Sequence, residues 1–405
     1  LLERYGFCGG AAVAGLSGTI CGLFAATDDP KAKPRQLVHG FVDDFIRAMG
    51  RHDGLTGPIR YGKTFTLTHD PLAWRRAADD LLEEAGVRVL FHSTVTEALV
   101  EGGERVAGAM AYTKQGRLRV EAGFTVDASG DADLAAMAGF ATTIGDNGKV
   151  QNPTMIFRLQ GVDVARFLSV QGEDSILGPA VSEEIARLHN GGEYNLPRSK
   201  IFLFPTPRPD ELLCNCTRIL GRDGRELNPM IAADFTEAEV MGRRQAAEYA
   251  RFFKDRLPGC EQSWISQTGV QVGVRQTRQI VGEKKLTTDD VIQHRKDKDA
   301  IAISAWPVEL HTGTKPRIEW VLDDHYEIPY GCFVPARGEN MLVSGRCLSA
   351  DHVAMASARV TAQCFTYGQA IGHAATIALR DKISPRKIQG RDLRAILNKE
   401  GARLD

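Results

Sequence analysis

Residues 340–379, NMLVSGRCLSADHVAMASARVTAQCFTYGQAIGHAATIAL, constrain the fold more than any other stretch of the chain. An apolar strand (residues 341–343) runs into Ser344, Gly345 and Arg346, and a short polar loop then opens a long helix rich in Ala and Gly. Strand, tight turn and helix in that order gather backbone N–H groups and the positive end of a helix dipole at one point. That arrangement suits a phosphate or an electron-rich ring edge. Small residues such as Ala354, Ala358, Gly368 and Gly372 let a backbone or a flat ligand lie close, and a tightly packed core helix would use them equally well.

Composition narrows the classes of partner. With 405 residues, 43% of them hydrophobic, the chain can bury a large core spread over two or three domains. Lys and Arg total 50 against 51 acidic residues, so nothing in the charge balance points to nucleic acid or an anionic membrane. The cysteines at 8, 21, 214, 216, 260, 332, 347 and 364 lack the paired spacing of metal ligation, and we expect reduced thiols, a cytoplasmic location and no metal. Residues 360–379 carry no formal charge over a span long enough to cross a bilayer. Gln363, Thr366, Gln369 and His373 inside that span favour a buried helix instead. No signal peptide is visible, and the chain opens on Leu-Leu-Glu as if part-way along a strand, so we expect a segment upstream of it.

Glu3 ends that opening strand, and the glycine-rich run GFCGGAAVAGLSGTICG follows directly. A carboxylate at the end of a parallel strand can accept both hydroxyls of a ribose, although a solvated strand-end charge explains Glu3 too. Gly9 and Gly10 permit close backbone approach, as a plain loop also would. No G-x-G-x-x-G precedes Glu3, so if the fold binds a dinucleotide, its first strand and phosphate turn are expected outside this sequence. Residues 36–49 repeat apolar side chains at helical spacing, and Asp70-Pro71 starts a second helix that stops at Gly86. A strand (87–91) and a three-stranded meander (94–100, 106–113 and 117–122) follow. The strand 124–126 then enters the turn Asp127, Ala128, Ser129, Gly130, Asp131, and a helix opens at Leu134 with Asp131 as its cap. Small residues at the carboxyl edge of a sheet are where open α/β folds bind ligands; a capped turn with no ligand reads the same way.

Four separated blocks now carry a resemblance: Glu3 with the Gly9-Gly10 run, TVDASGDADLAAMAG (125–139), GVRQTRQIVGEKKLTTDDV (273–291), and NMLVSGRCLSADHVAMASARV (340–360). Their order resembles that of the FAD-dependent oxidoreductases of the glutathione-reductase fold type. The resemblance implies an α/β fold: a Rossmann-like FAD-binding domain with an inserted α+β substrate domain. It divides the chain into residues 1–145 and 326–381 (FAD-binding), 146–325 (substrate or cap) and 382–405 (helical tail). It further implies FAD as cofactor, with Glu3 at the adenosine ribose and Val95 at the adenine. Asp127, Ala128, Ser129, Gly130 and Asp131 would form a flavin-contacting turn, and Gly345 and Arg346 the turn beside the ribityl chain and pyrophosphate.

Within the inserted part, residues 155–162, 201–205 and 211–217 read as strands, and a long helix capped by Thr236 runs to Leu257. Cys214 and Cys216 share a strand face and read as core. Arg275 and Arg278 stand three apart and, if extended, point to opposite faces. Either can form a structural salt bridge, and the resemblance places Arg275 near the cofactor. His352, after the Gly345-Arg346 turn, has the pKa range of a general acid or base beside the flavin, and a backbone-bonded helix-start His is the plainer reading. Arg359 can pair with an anionic substrate or with Asp351. The chemistry implied is hydride transfer between a small organic substrate and the flavin, with an unidentified electron acceptor. A flavin-free module needing an upstream segment or a partner, and a flavin monooxygenase, are the alternative readings. The sequence allows an oligomer, and it contains no second complete G-x-G-x-x-G to assign NAD(P)H use.

Overall fold

The computed structural model describes residues 1–311 and 317–405. Its organising feature is a parallel pair, Met341–Val343 against Thr125–Asp127, in the register Met341 to Thr125, Leu342 to Val126 and Val343 to Asp127. All three residues of the first strand are buried, as a strand covered on both faces requires. A second parallel contact joins Leu2 to Leu90, so the chain's opening residues lie beside the segment that follows the helix Pro71–Glu84. That helix begins as its sequence demands. Asp70 accepts from the Leu72 and Ala73 amides at 2.7 and 3.1 Å, with Pro71 in the first turn.

The meander Thr94–Glu101, Arg105–Thr113, Gly116–Glu121 is antiparallel throughout. Asn340 clips it to the parallel pair. Its Nδ2 donates to the carbonyls of Val106 and Gly123, and its Oδ1 accepts from the Val106 amide at 2.8 Å.

The long C-terminal helix differs from expectation. A 3-10 turn (Gly345–Cys347) is followed by a short helix (His352–Ala358), a break, and the helix Thr361–Asp381. Asp351 caps the short helix through the Val353 and Ala354 amides. The break is satisfied by tertiary contacts, since the freed Ala358 carbonyl accepts from Tyr367 Oη at 2.8 Å. Among the described residues no helix is long and apolar enough to cross a membrane.

A four-stranded antiparallel sheet fills the middle of the chain, in the order Trp264–Thr268, Phe157–Gln160, Glu211–Asn215, Phe202–Pro205. The helix Ala232–Arg256 buries Tyr249, Phe252 and Phe253 in a core shared with Phe157 and Leu212. It starts at Ala232, four residues ahead of the expected Thr236 cap, and Thr236 lies inside the helix with its Oγ1 donating to the Ala232 carbonyl. The strands that follow belong to a different core. Arg278–Ile280 pairs with Thr142–Ile144, Ala300–Ser304 pairs with Tyr326–Pro329, and Ile280, Ile301 and Ile328 pack with Leu342, Ala354 and Ile371. Leu393 and Leu397 of the terminal helix Gly390–Lys399 join this same core.

Candidate functional site

A cleft of about 400 Å³ collects residues from the chain's opening, the turn after Asp127, the central sheet and the C-terminal helices. One group is rich in glycine and bare backbone: Gly9 to Ala12, Ala128 to Gly130, and Gly345 with Arg346, together with Trp74 and Phe365. The other is ionic and aromatic: Arg275, Glu309, His311, Arg359 and Trp306.

The glycine group is positioned by the strand ends. Asp127 closes the turn after its strand, its Oδ1 accepting from Ser129 N and its Oδ2 from Ala135 N, both at 3.0 Å. It thereby supports the helix Asp133–Met137, the role expected of Asp131. That helix instead follows Ala132 in the left-handed region, without a side-chain cap, because Asp131 is engaged elsewhere. Its Oδ1 accepts from Thr277 Oγ1 at 2.6 Å and pairs with the Arg346 guanidinium at 3.5 Å. Arg346 therefore lies across Gly130, where an added Cβ would meet Arg346 Nη2 at 2.5 Å.

The ionic group comes from three places. Arg275 follows a backbone bridge in which Thr154 and Gly273 exchange hydrogen bonds, and its Nη1 donates to the Asn152 carbonyl at 2.6 Å. Arg278 points away, to the Asp131 carbonyl and the Asp133 carboxylate, as alternation predicts. Arg359 occupies the helix break and donates to Gln151 Oε1 at 3.3 Å; it does not pair with Asp351, whose carboxylate is taken by the cap and by Thr288. Glu309 lies in the strand Val308–Leu310 and His311 directly after it, and His311 Nε2 meets Glu309 Oε1 at 2.9 Å.

Burial and the neighbouring charges fix the protonation states. Burial, then the Arg275 charge, lowers His311 to about 3, so the ring is neutral near pH 7. Burial raises Glu309, but His311, Arg359 and Arg198 outweigh it and hold the carboxylate at about 2. The 2.9 Å approach of Nε2 to the Glu309 carboxylate assigns the proton of a neutral His311 to Nε2 and leaves the lone pair on Nδ1. Burial pushes the cleft thiols Cys21 and Cys364 up to about 12 and about 11, so neither is a thiolate near neutral pH.

Other expected residues lie apart from the cleft lining. Glu3 accepts from the Tyr5 amide through Oε1, and its backbone bonds to Leu90 and Ser93, close to Val95 in the meander. His352 is half-buried at a helix start, its nearby charges being Asp146, Asp351 and Glu226. It is not among the cleft residues because the polar loop 348–351 carries the chain away before that helix begins. Glu309, His311 and Trp306 were not singled out from sequence. The alternation Val308, Glu309, Leu310, His311 put two titratable groups on one strand face and was the available signal.

The model of the family described as FAD dependent oxidoreductase matches residues 1–397. The chain belongs to the FAD-dependent oxidoreductase family. It is an enzyme of mixed α/β fold with FAD as its cofactor. No curated protein matches it. Among solved structures, this oxidoreductase is similar to p-nitrophenol 4-monooxygenase PnpA from Pseudomonas putida DLL-E4, at 10% identity and a TM-score of 0.43 over 84% of this chain. The chain spans 63% of the length of PnpA. It is also similar to the myxobacterial chondrochloren halogenase CndH (15% identity, TM-score 0.41, 98% of this chain and 72% of that one). A third is a geranylgeranyl bacteriochlorophyll reductase-like protein from Thermoplasma acidophilum (12% identity, TM-score 0.40, 93% of this chain and 83% of that one).

The cleft residues fit an FAD. Gly10 (φ 47°) and Gly345 (φ 67°) border it with nothing within 4 Å of where a side chain would begin, so a flat ring can lie against bare backbone. Among the described residues Trp306 Nε1 and Arg359 Nε are buried there without a protein partner, leaving polar donors for a bound group.

Proposed function

We propose that this flavoenzyme is a dehydrogenase or reductase that moves a hydride between a small organic substrate and FAD. In this reading its FAD-binding domain is of the glutathione-reductase type, residues 1–145 and 326–381. The inserted substrate domain falls within residues 146–325, of which the strands Arg278–Ile280 and Ala300–Ser304 pack into the FAD-binding core, and residues 382–405 form a helical tail. The observation that supports it is the shared cleft: three glycine-bearing turns and a buried Arg–Glu–His cluster border the same cavity. When bound there, FAD supplies the hydride exchange.

The chain's own residues divide the remaining work. Gly9, Gly10, Ala128, Ser129, Gly130, Gly345 and Arg346 hold the flavin end, with Asp127 and Asp131 fixing the turn and Arg346. Glu3 and Val95 serve the adenosine end. Arg275 and Arg359 orient the substrate. His311 takes up the substrate proton at Nδ1, held in that tautomer by Glu309, and replaces His352 in the acid–base role. Trp306 and Ile156 exclude water beside them.

Anaerobic incubation of the purified holoenzyme with a library of small alcohols, amines and acids tests this. A member that bleaches the flavin band and emerges oxidised by two electrons, with His311→Asn slowing the bleaching at least tenfold, is the expected result. Product that gains an oxygen atom, formed when NAD(P)H and oxygen are present, would replace this reading with the monooxygenase one.

A further inference from the structure

The ionic cluster contains a charge imbalance. The guanidiniums of Arg198, Arg275 and Arg359 all act on the Glu309–His311 pair, which carries one negative charge when His311 is neutral. Arg198 is the better held of the three, donating to Lys200 O at 2.8 Å and Asn215 Oδ1 at 3.0 Å and lying over the Phe202 ring, with Nη2 alone buried and unpartnered among the described residues. Arg275 and Arg359 are not so held. Among the described residues each makes one side-chain hydrogen bond, to the Asn152 carbonyl and to Gln151 Oε1, and Arg359 Nε is buried with no partner. A guanidinium carries five N–H donors, so most of the donors on both are unused. Arg275 is only 7% exposed, which leaves little water to serve them. Burying like charges with too little counter-charge is unfavourable unless an anion completes the set. Burial and the mutual repulsion of the two residues both hold Arg275 below the usual arginine range.

We propose that the substrate is an organic carboxylate, its carboxylate group taken by Arg275 and Arg359 and its apolar body lying against Trp306 and Ile156. A planar guanidinium fork matches a carboxylate through paired N–H···O bonds, and one carboxylate cuts the excess of positive charge in the cluster, three guanidiniums against Glu309, by half. The choice of an organic anion follows from the aromatic and aliphatic surface that borders the same cavity. The proposal rests on the reading of this cleft as the substrate site of the flavin. It has a consequence for proton transfer. The Arg275 charge is the second cause, after burial, of the low proton affinity of His311, and a bound carboxylate opposes that charge. His311 therefore becomes a better base when substrate is present.

Calorimetric titration of the full chain with benzoate, succinate, benzamide and inorganic phosphate tests the proposal, with flavin content and thermal melting recorded for every variant. Benzoate or succinate is expected to bind at least tenfold more tightly than benzamide or phosphate. Arg275→Gln and Arg359→Gln should each weaken carboxylate binding tenfold or more, and Arg275→Lys and Arg359→Lys should recover part of it. Equal binding of benzoate and benzamide overturns the proposal, as does phosphate binding as tightly as the carboxylates. So does an Arg275→Gln protein that loses flavin but binds carboxylate unchanged, because the guanidinium would then serve the cofactor. The heat signal needs no flavin: a protein that cannot take up FAD defeats the reading of the cleft, while the benzoate and benzamide titrations still decide the substrate class. If the glutamine variants fail to fold, the wild-type panel and the lysine variants carry the decision.

Discussion

The two groups that border the cleft do opposite things with the same confined space. The glycine turns offer backbone and open volume, and the turn after Asp127 is shaped within a few residues, by Asp127 accepting from Ser129 and Ala135, with Arg346 across Gly130 as its long-range contact. The ionic cluster offers charge, and its geometry is fixed at long range, by residues as distant in sequence as Asn152, Arg275, Glu309 and Arg359. A change in the first should act on the cofactor with little effect on charge. A change in the second should act on substrate, pH dependence and stability with little effect on FAD.

The largest expected effect comes from Glu309→Gln. It removes the carboxylate acting against three guanidiniums in a buried cluster, and losing one partner of a buried charged set costs about 3 kcal/mol or more. Denaturant unfolding should show that loss, with the FAD affinity of the still-folded protein unchanged. A stable Glu309→Gln protein would mean the cluster is already neutralised by other means. Gly130→Val acts on the other group. At φ 79° and with Arg346 Nη2 2.5 Å from a new Cβ, the side chain strains the turn and displaces Arg346. We expect about tenfold to a hundredfold weaker FAD binding, or about 1.4–2.8 kcal/mol. Titrating the apoprotein with FAD measures it, and unchanged affinity would break the assignment of this turn to the cofactor.

The difference in how the two groups are fixed also explains what could be read from sequence. The strand 341–343, the Asp70-Pro71 helix start and the meander follow from capping chemistry and from alternation within a few residues, and the folded chain has them at those places. The break at Arg359 was not legible. An Ala-rich run offers no local reason to stop, and the stop is made by Tyr367 bonding the Ala358 carbonyl. Asp131 looked like a cap because capping is a local rule. Its partners Thr277 and Arg346 lie far along the chain, and they outcompete the helix for its carboxylate. Glu309 and His311 escaped notice for a related reason. Two polar residues on one strand face become a site only once that face is known to look into a cavity beside Arg275.

A smaller effect separates the groups by pH. In the folded chain His311 titrates at about 3, against about 6.5 when exposed. Its folded value is depressed, so the folded state is favoured above pH ~6.5 and loses ground as pH falls, while the unfolded chain takes up a proton that the folded chain refuses. His69, buried against Trp74 and also lowered to about 3 by burial and Arg158, adds to the same slope. Each contributes up to about 1.4 kcal/mol per pH unit below that point. His311→Asn should make the melting temperature less sensitive between about pH 6.5 and pH 5. Saturating benzoate should also flatten the wild-type curve, by opposing Arg275. Identical slopes for wild type and variant would remove His311 from the ionic cluster's electrostatics.

The smallest effect lies at the support of the glycine group's Trp74. Asp70 caps the helix that carries Trp74 into the cleft through Oδ1, while its Oδ2 accepts from Arg208 Nε at 2.9 Å, in the turn between two strands of the central sheet. Burial raises its carboxyl pKa, but donation from Ala73, Arg208 and Leu72 outweighs this and holds it below the usual carboxylate range. The stabilisation is thus present above pH ~4 and lost as pH falls through the folded value. Asp70→Ala should cost about 1 kcal/mol, most of it from the cap, because the Arg208 pair is partly open to solvent. Asp70→Asn keeps a cap acceptor and gives up the charge, so it should cost less than Asp70→Ala and remove the acid-side loss. If the two substitutions were equally costly, the Arg208 contact and not the cap would be what Asp70 supplies. The helix bearing Trp74 would then be held by the central sheet rather than by its own first turn.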